Sequence, residues 1–357
     1  MPMNIILALI VFGLIVTFHE FGHFSLAKLC GVRVLEFSVG MGPKIASFVK
    51  RGTRYSLRLL PLGGFCSMLG EDTDADSMTE GSLNAAPVWK RFLIVAAGPV
   101  FNFILAFLLA VVILSQVGVD RCVLTGILEG YPAENSGIRP GDEIVRINDH
   151  KVVFFRDLTS YLYMYPGKAA DVTVLREASG TEGKTERHTF RIEPMYNTER
   201  GAWMLGIEVS GARDFPKDPP ELLYYAVQEV RYNITMVVDS LKMLLRGLVP
   251  LDDLAGPVGI VSVIGESVEE TRPYGVKAML LTLADIALLL TANLGVMNLL
   301  PIPALDGGRL LFFAAEAVTG HHLNRDVEGA IHFAGLVLLM GLMVFLMFHD
   351  VMRLMSG

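Results

Sequence analysis

The sequence predicts a polytopic α-helical membrane protein with about four transmembrane helices, a membrane-associated β-hairpin loop and an inserted β-rich domain. Three observations carry that prediction. Hydrophobic residues make up 52% of the 357 and charged residues only 19%, with a mean hydropathy of +0.48, too apolar for an ordinary soluble domain of this length. Four apolar stretches, about 4–27, 92–117, 278–318 and 331–349, reach the roughly 20 residues that a span requires. Residues 118–196 then change character, with shorter apolar runs, more charge and regular turn signals, the pattern of a β-rich domain.

The first stretch has no basic n-region and runs into His19-Glu20-Phe21-Gly22-His23 rather than a small-residue cleavage site. It therefore reads as a retained span rather than a signal peptide. The loop at 28–90 holds Lys28, Arg33, Lys44, Lys50, Arg51, Arg54, Arg58 and Lys90, which places it in the cytoplasm by the positive-inside rule. The N-terminus, the 118–277 segment and the C-terminus are then expected outside. Within the loop, "VRVLEFSVGMGPKI" and "RYSLRLLPLGGFCSMLGE" are strand-like and glycine-punctuated, with "KRGTR" as the turn between them. Two readings stay open: a small cytoplasmic hairpin, or β-structure beside the active site that offers an edge to an extended substrate through Tyr55, Leu57 and Leu59 of "YSLRL".

The second stretch carries no charge. The third is interrupted by "NLLPIPALDGG" (298–308), where Pro301 and Pro303 cannot continue a helix. Irregular backbone at membrane depth is tolerated only inside protein or beside a wet cavity, so this break marks a functional interior. Residues 218–248 show helical periodicity, start at Pro219 and Pro220, and read as a helix on or in the membrane surface; "LAGPVGIVSVIG" (254–265) reads as a turn into a short helix. The predicted divisions are 1–117, 118–212, 213–277 and 278–357.

Composition excludes several functions. The net charge of −7 comes without a basic tract, so nucleic acid is not a predicted partner; Cys30, Cys66 and Cys122 are odd in number and far apart, which argues against disulfides and cysteine-ligated metal. The chemistry lies in the first span. Residues i and i+4 share a helix face, so His19 and His23 can direct imidazole nitrogens at one ion, while Glu20 is offset and can deprotonate a metal-activated water. A catalytic zinc takes three protein ligands. Asp306 is the candidate inside the broken third span, with Asp285 as competitor and His332 and His349 weaker. The reaction class that follows is metal-assisted hydrolysis of a peptide bond.

Taken together, HEFGH, "GPVFN" (98–102) and "NLLPIPALDGG" resemble the site-2 protease family over essentially the whole chain. The segment "GYPAENSGIRPGDEIVRINDHKV" (130–152) resembles a PDZ domain of the circularly permuted bacterial type, with "AWMLGIEV" (202–209) in the place of the peptide-binding strand. The resemblance implies His19, His23 and Asp306 as zinc ligands and Glu20 as catalytic base. Asn298 and Asn293 would hold or polarise substrate backbone, Asn102 would join helices, and Leu205, Gly206 and Ile207 would form a PDZ peptide-binding loop. It implies a bacterial inner-membrane protease that cuts single-span proteins already trimmed outside, such as anti-sigma factors or signal-peptide remnants. A peptide C-terminus at the PDZ domain and membrane lipid are the other implied partners. The alternatives are a metal-binding transporter and a non-catalytic membrane adaptor.

Overall fold

The computed structural model describes residues 2–71, 79–178, 184–248, 256–321 and 325–356. It divides into one unit of residues 1–110 and 246–357 and a second of residues 111–245.

In the first unit, helix α1 (Pro2–Cys30) leads into the paired strands β1 (Val34–Lys50) and β2 (Thr53–Met68), followed by α2 (Val88–Val117). After the second unit come α5 (Pro257–Thr271), α6 (Val276–Leu299), α7 (Asp306–Thr319) and α8 (Arg325–Ser356). Four segments are long and apolar enough to cross a membrane: Ile5–Cys30, Val88–Val117, Val276–Leu299 and Val327–Arg353. The interrupted third stretch thus resolves into a full-length helix, a break at 300–305 and the short α7.

Strands β1 and β2 turn at Arg51 and Gly52, both in the left-handed region (φ 51° and 75°), which suits a tight hairpin turn. The ribbon then doubles on itself. Phe48 pairs with Tyr55, Tyr55 with Phe37, and Phe37 with Cys66, and one step along Ala46 pairs with Leu57 and Leu57 with Val39. Tyr55 and Leu57 therefore lie on backbone paired on both flanks, and cannot offer the free edge expected of them. Leu59 is exposed. The segment that runs along α1 is 61–66: an added Cβ at Gly13 would meet the Pro61 carbonyl and one at Gly63 would meet Val16.

Polar groups lock the helical unit at its ends. Asp350 of α8 is buried and accepts from the N–H groups of Gly256 (3.0 Å) and Gly259 (2.8 Å) at the start of α5. This is an N-cap supplied from another helix, placing a carboxylate at the positive end of α5. Asp350→Ala is expected to cost about 1–2 kcal/mol, read as a lower thermal midpoint of the purified protein in detergent. Arg91 of α2 pairs with Glu316 of α7, and Arg309 of α7 with Glu71 (2.5 Å).

The second unit holds a sheet of order β5-β4-β6-β7, formed by β4 (Glu143–Ile147), β5 (His150–Lys151), β6 (Ala170–Glu177) and β7 (Thr185–Ile192). Strand β3 (Leu124–Ile127) pairs antiparallel with β10 (Ile207–Val209), and β8 (Met195–Asn197) with β9 (Ala202–Met204). Ile144, Ile147, Val172, Val174 and Leu205 pack with Leu158 and Leu162 of α3 (Phe155–Met164) in one core. Helix α4 (Pro219–Leu245) belongs to this unit: Arg231 pairs with Asp157 (3.0 Å), Arg156 with Glu229, and Phe154 meets the rings of Tyr225 and Tyr232. Its polar side, with Gln228, Glu229 and Asn233 buried, faces this unit, while Leu223, Tyr224 and Val227 stay exposed; the expected 213–277 linker is split, α4 joining the β-rich unit and α5 the helical one. Residues 249–255, which include the first two of the expected 254–265 turn, lie outside the described residues.

Candidate metal centre

Helix α1 runs without interruption through HEFGH, so His19 and His23 stack one turn apart on one face, 6% and 8% exposed. Their Nε2 atoms are 3.2 Å apart. Asp306 reaches them as the first residue of α7, placed there by the proline break. Its Oδ2 lies 3.2 Å from His19 Nε2 and 3.5 Å from His23 Nε2.

These three atoms form a triangle whose sides match the edge of a tetrahedron with metal–ligand bonds of about 2.0–2.2 Å, an edge of about 3.3–3.6 Å. Asp306 Oδ2 is buried with no hydrogen-bond donor, which is costly for a carboxylate oxygen unless a cation occupies the triangle. Among the described residues this is the only group of three or more His, Cys, Asp or Glu side chains suited to hold a metal. Asp285 is not part of it.

Both imidazoles are held from behind. His23 Nδ1 donates to the Ile94 carbonyl at 2.9 Å, which leaves Nε2 free as a ligand. His19 Nδ1 lies 3.0 Å from the side-chain amide of Asn102 on α2, which is fully buried. With Nε2 turned to the ion, Nδ1 carries the hydrogen and needs an acceptor. The Asn102 amide nitrogen stands there, while Asn102 Oδ1 is buried without a partner. Rotating the amide by 180° satisfies both groups, and amide orientation is an assignment of this kind. Asn102 is then the acceptor that orients His19, beyond the helix-joining role read from sequence. Asn102→Leu is expected to weaken zinc binding about 10–100-fold, measured by chelator competition.

The helices reach this spacing through glycine. A Cβ at Gly22 would lie 2.8 Å from the Ala97 carbonyl carbon and 3.0 Å from Phe101 Cβ, so α1 and α2 touch at backbone distance. Pro99, inside α2, lacks the N–H that would bind Val95, and Ile94 one residue earlier receives His23.

Glu20 projects off the histidine face, and its Oε2 accepts from the Cys66 N–H at 3.0 Å. Strand β2 thus fixes that carboxylate, a contact that strand-like patterning gave no means to find. Asn298, near the end of α6, places its amide nitrogen 3.5 Å from His19 Nε2. Asn293 is exposed. Five residues at about 100° each turn it about 140° from Asn298, so the structure does not bring it to the centre.

In the β-rich unit, Leu205, Gly206 and Ile207 line a cavity of about 540 Å³ together with Phe155, Leu158 and Leu162 of α3. Gly206 has φ 83°, and a Cβ there would collide with Tyr131. Its carbonyl accepts from Leu128 N–H, and that of Leu205 from Ala133 N–H, both at 2.9 Å. The Leu205 side chain is buried in the core.

Comparison with known proteins is consistent with this centre. Residues 7–342 match the family described as Peptidase family M50. A protein of Clostridium acetobutylicum is 34% identical over 353 residues, covering 98% of this chain and 97% of its own, and one of Agrobacterium fabrum is 33% identical over 370, covering 98% and 95%. Both are provisionally named zinc metalloproteases. Zinc metalloprotease RasP of Shouchella clausii is 30% identical over 436 aligned positions, covering 99% of this chain and 100% of its own.

Proposed function

The chain belongs to peptidase family M50, the site-2 protease family, and from that premise we propose that it is a zinc-dependent intramembrane endopeptidase. The observation that carries the reading is the triangle of His19, His23 and Asp306, with sides of 3.2–3.5 Å, whose two histidines lie in a helix apolar enough to cross a membrane. Two neutral imidazoles and one carboxylate would hold zinc with a net positive charge. The metal supplies a Lewis acid that polarises a carbonyl and acidifies water.

The chain's own residues do the rest. Glu20, held by the Cys66 N–H, takes the proton of the attacking water and returns it to the leaving amine. Asn102 and the Ile94 carbonyl keep the imidazoles in the ligating tautomer. Asn298 supplies an amide donor beside His19 for the substrate carbonyl. A helical substrate must unwind first, because its amides are engaged in i→i−4 bonds, and strand segment 63–66, which reaches Glu20 through the Cys66 N–H, is the candidate source of replacement partners.

The substrates we propose are single-span membrane proteins whose outer domain has been removed, with anti-sigma factors and signal-peptide remnants as the classes. The basic 28–90 loop supports a cytoplasmic approach to the zinc and an extracytoplasmic position for the β-rich unit. That unit reads as a permuted PDZ domain, its groove between α3 and residues 202–207 taking a new peptide C-terminus. The test is cleavage in proteoliposomes of a single-span substrate with and without its outer domain. The trimmed form is expected to be cut, the intact form to resist, and chelation to stop the reaction until zinc is restored. Cleavage indifferent to chelation would remove the metallopeptidase reading.

A further inference from the structure

Between α6 and α7 the chain passes through residues 300–305, where every backbone N–H must find a partner if it is to stay away from water. Leu300 donates to Met297 (3.1 Å), Ile302 to Leu300 (2.7 Å) and Leu305 to Ile302 (3.2 Å). Pro301 and Pro303 have no N–H to place. The remaining donor, Ala304, leaves the loop altogether and binds Nδ1 of His332 on α8 at 2.9 Å.

Ala304 is also the strained residue of the segment. Its φ of 74° is left-handed, an uncommon state for a residue that carries a Cβ. Helix α8 comes close enough to hold it because Gly335 lies one turn beyond His332 on the same face. A Cβ at Gly335 would stand 2.5–2.7 Å from Pro303 Cβ, O and C. The His332 ring is braced on its other side by Phe312 of α7, edge to face at 5.4 Å. With Nδ1 accepting, the ring hydrogen sits on Nε2, which is buried without a hydrogen-bond partner, its nearest carboxylate being Glu328 at 4.0 Å.

We propose that His332 is a positioning residue for the metal centre: it holds Ala304 in the left-handed state, and that state sets where α7 begins and where Asp306 meets His19 and His23. Ala304 is two residues of backbone before Asp306, and His332 acts through that backbone, as an acceptor rather than as a ligand. The inference rests on the assignment of Asp306 as a zinc ligand.

The test uses the full chain in detergent, with zinc affinity read by chelator competition and coordination geometry by the visible spectrum of the cobalt-substituted protein. His332→Asn keeps an acceptor at the place of Nδ1, whereas His332→Gln moves it to the place of Nε2 and His332→Leu removes it. His332→Asn is expected to bind zinc like the unsubstituted protein. His332→Gln and His332→Leu are expected to bind about tenfold more weakly or worse, with an altered cobalt spectrum. Adding Ala304→Gly to His332→Leu should recover part of the loss, since glycine adopts this φ without strain. Should His332→Leu fail to fold, the Asn and Gln variants, both polar and similar in bulk, carry the comparison alone.

Unchanged affinity and spectrum in His332→Gln would overturn the proposal, as would an equal loss in His332→Asn. Asp306→Ala separates the two levels of the argument. If it binds zinc as tightly as the unsubstituted protein, the ligand assignment fails and this inference with it. If it loses zinc while His332→Gln does not, only the role of His332 is wrong.

Discussion

Glu20→Gln is expected to abolish cleavage of a trimmed single-span substrate while leaving zinc bound. The substitution is close to isosteric, and the glutamine carbonyl oxygen can still accept the Cys66 N–H that now fixes Glu20 at 3.0 Å. What is lost is the capacity to take a proton. General-base catalysis contributes on the order of 10²–10⁴-fold, and a side chain that serves as base and then as acid loses both steps, so the fall should lie at the upper end of that range. The metal triangle does not include Glu20, so zinc content and affinity should be unchanged. Glu20→Asp makes the complementary case: its carboxylate can titrate but falls short of the Cys66 N–H, and partial activity is expected. Normal turnover by zinc-loaded Glu20→Gln would end the protease mechanism. Loss of zinc instead would make Glu20 a ligand and open the transporter alternative.

How much of this was legible in the sequence follows from the range over which each feature acts. His19 and His23 were legible because a helix face is a local property, fixed by a four-residue spacing. Asp306 was narrowed to few candidates because two prolines in an apolar stretch announce a break, and breaks at membrane depth have to serve the interior. The role of Asn102 is not legible in sequence because its contact with His19 depends on where α1 and α2 cross, a distance set by Gly22 against Ala97. No local pattern encodes that crossing. Asn293 and Asn298 share one apolar helix in sequence, but the five-residue step between their positions turns Asn293 away from the centre.

The hairpin shows the same limit. Strand alternation located both strands and the turn, but period two cannot reveal that a 17-residue strand bends and pairs twice, which puts Tyr55 and Leu57 inside the ribbon. Helix α4 is not legible in sequence as part of the β-rich unit, because amphipathicity reports an apolar face without saying what the polar face meets. Its charged residues, Glu229 and Arg231, meet Arg156 and Asp157 of the β-rich unit, and this pairing has no signature in either segment alone.

Gly98→Ala is the second large effect, and it comes from one methyl group far simpler than any ligand. A Cβ at Gly98 would run into the metal-facing edge of His23, Nε2 and Cε1, and lie 2.7 Å from His19 Cε1. Contacts that short oblige something to move. Retreat of the α2 backbone would open the close packing of Ala97, one residue earlier, against Gly22. The rings cannot slide, because His23 is tied to Ile94 at 2.9 Å and His19 to Asn102 at 3.0 Å. The imidazoles must therefore rotate, breaking those bonds and opening the 3.2–3.5 Å triangle. The loss of zinc affinity should reach or exceed the 10–100-fold that follows from removing a single outer partner, and activity should fall with it. Metal-free stability should fall by about 1–3 kcal/mol for each buried hydrogen bond broken, offset by up to about 1 kcal/mol because alanine is favoured over glycine inside a helix. The expected signature is thus a protein that still folds, with a modestly lowered metal-free thermal midpoint, but no longer holds zinc. Gly341→Ala on α8, where an added Cβ meets nothing within 4 Å, should leave zinc affinity unchanged and raise the midpoint slightly. If Gly98→Ala bound zinc normally, the imidazoles would have to lie elsewhere in the working enzyme, and the triangle with Asp306 would lose its claim to be the metal centre.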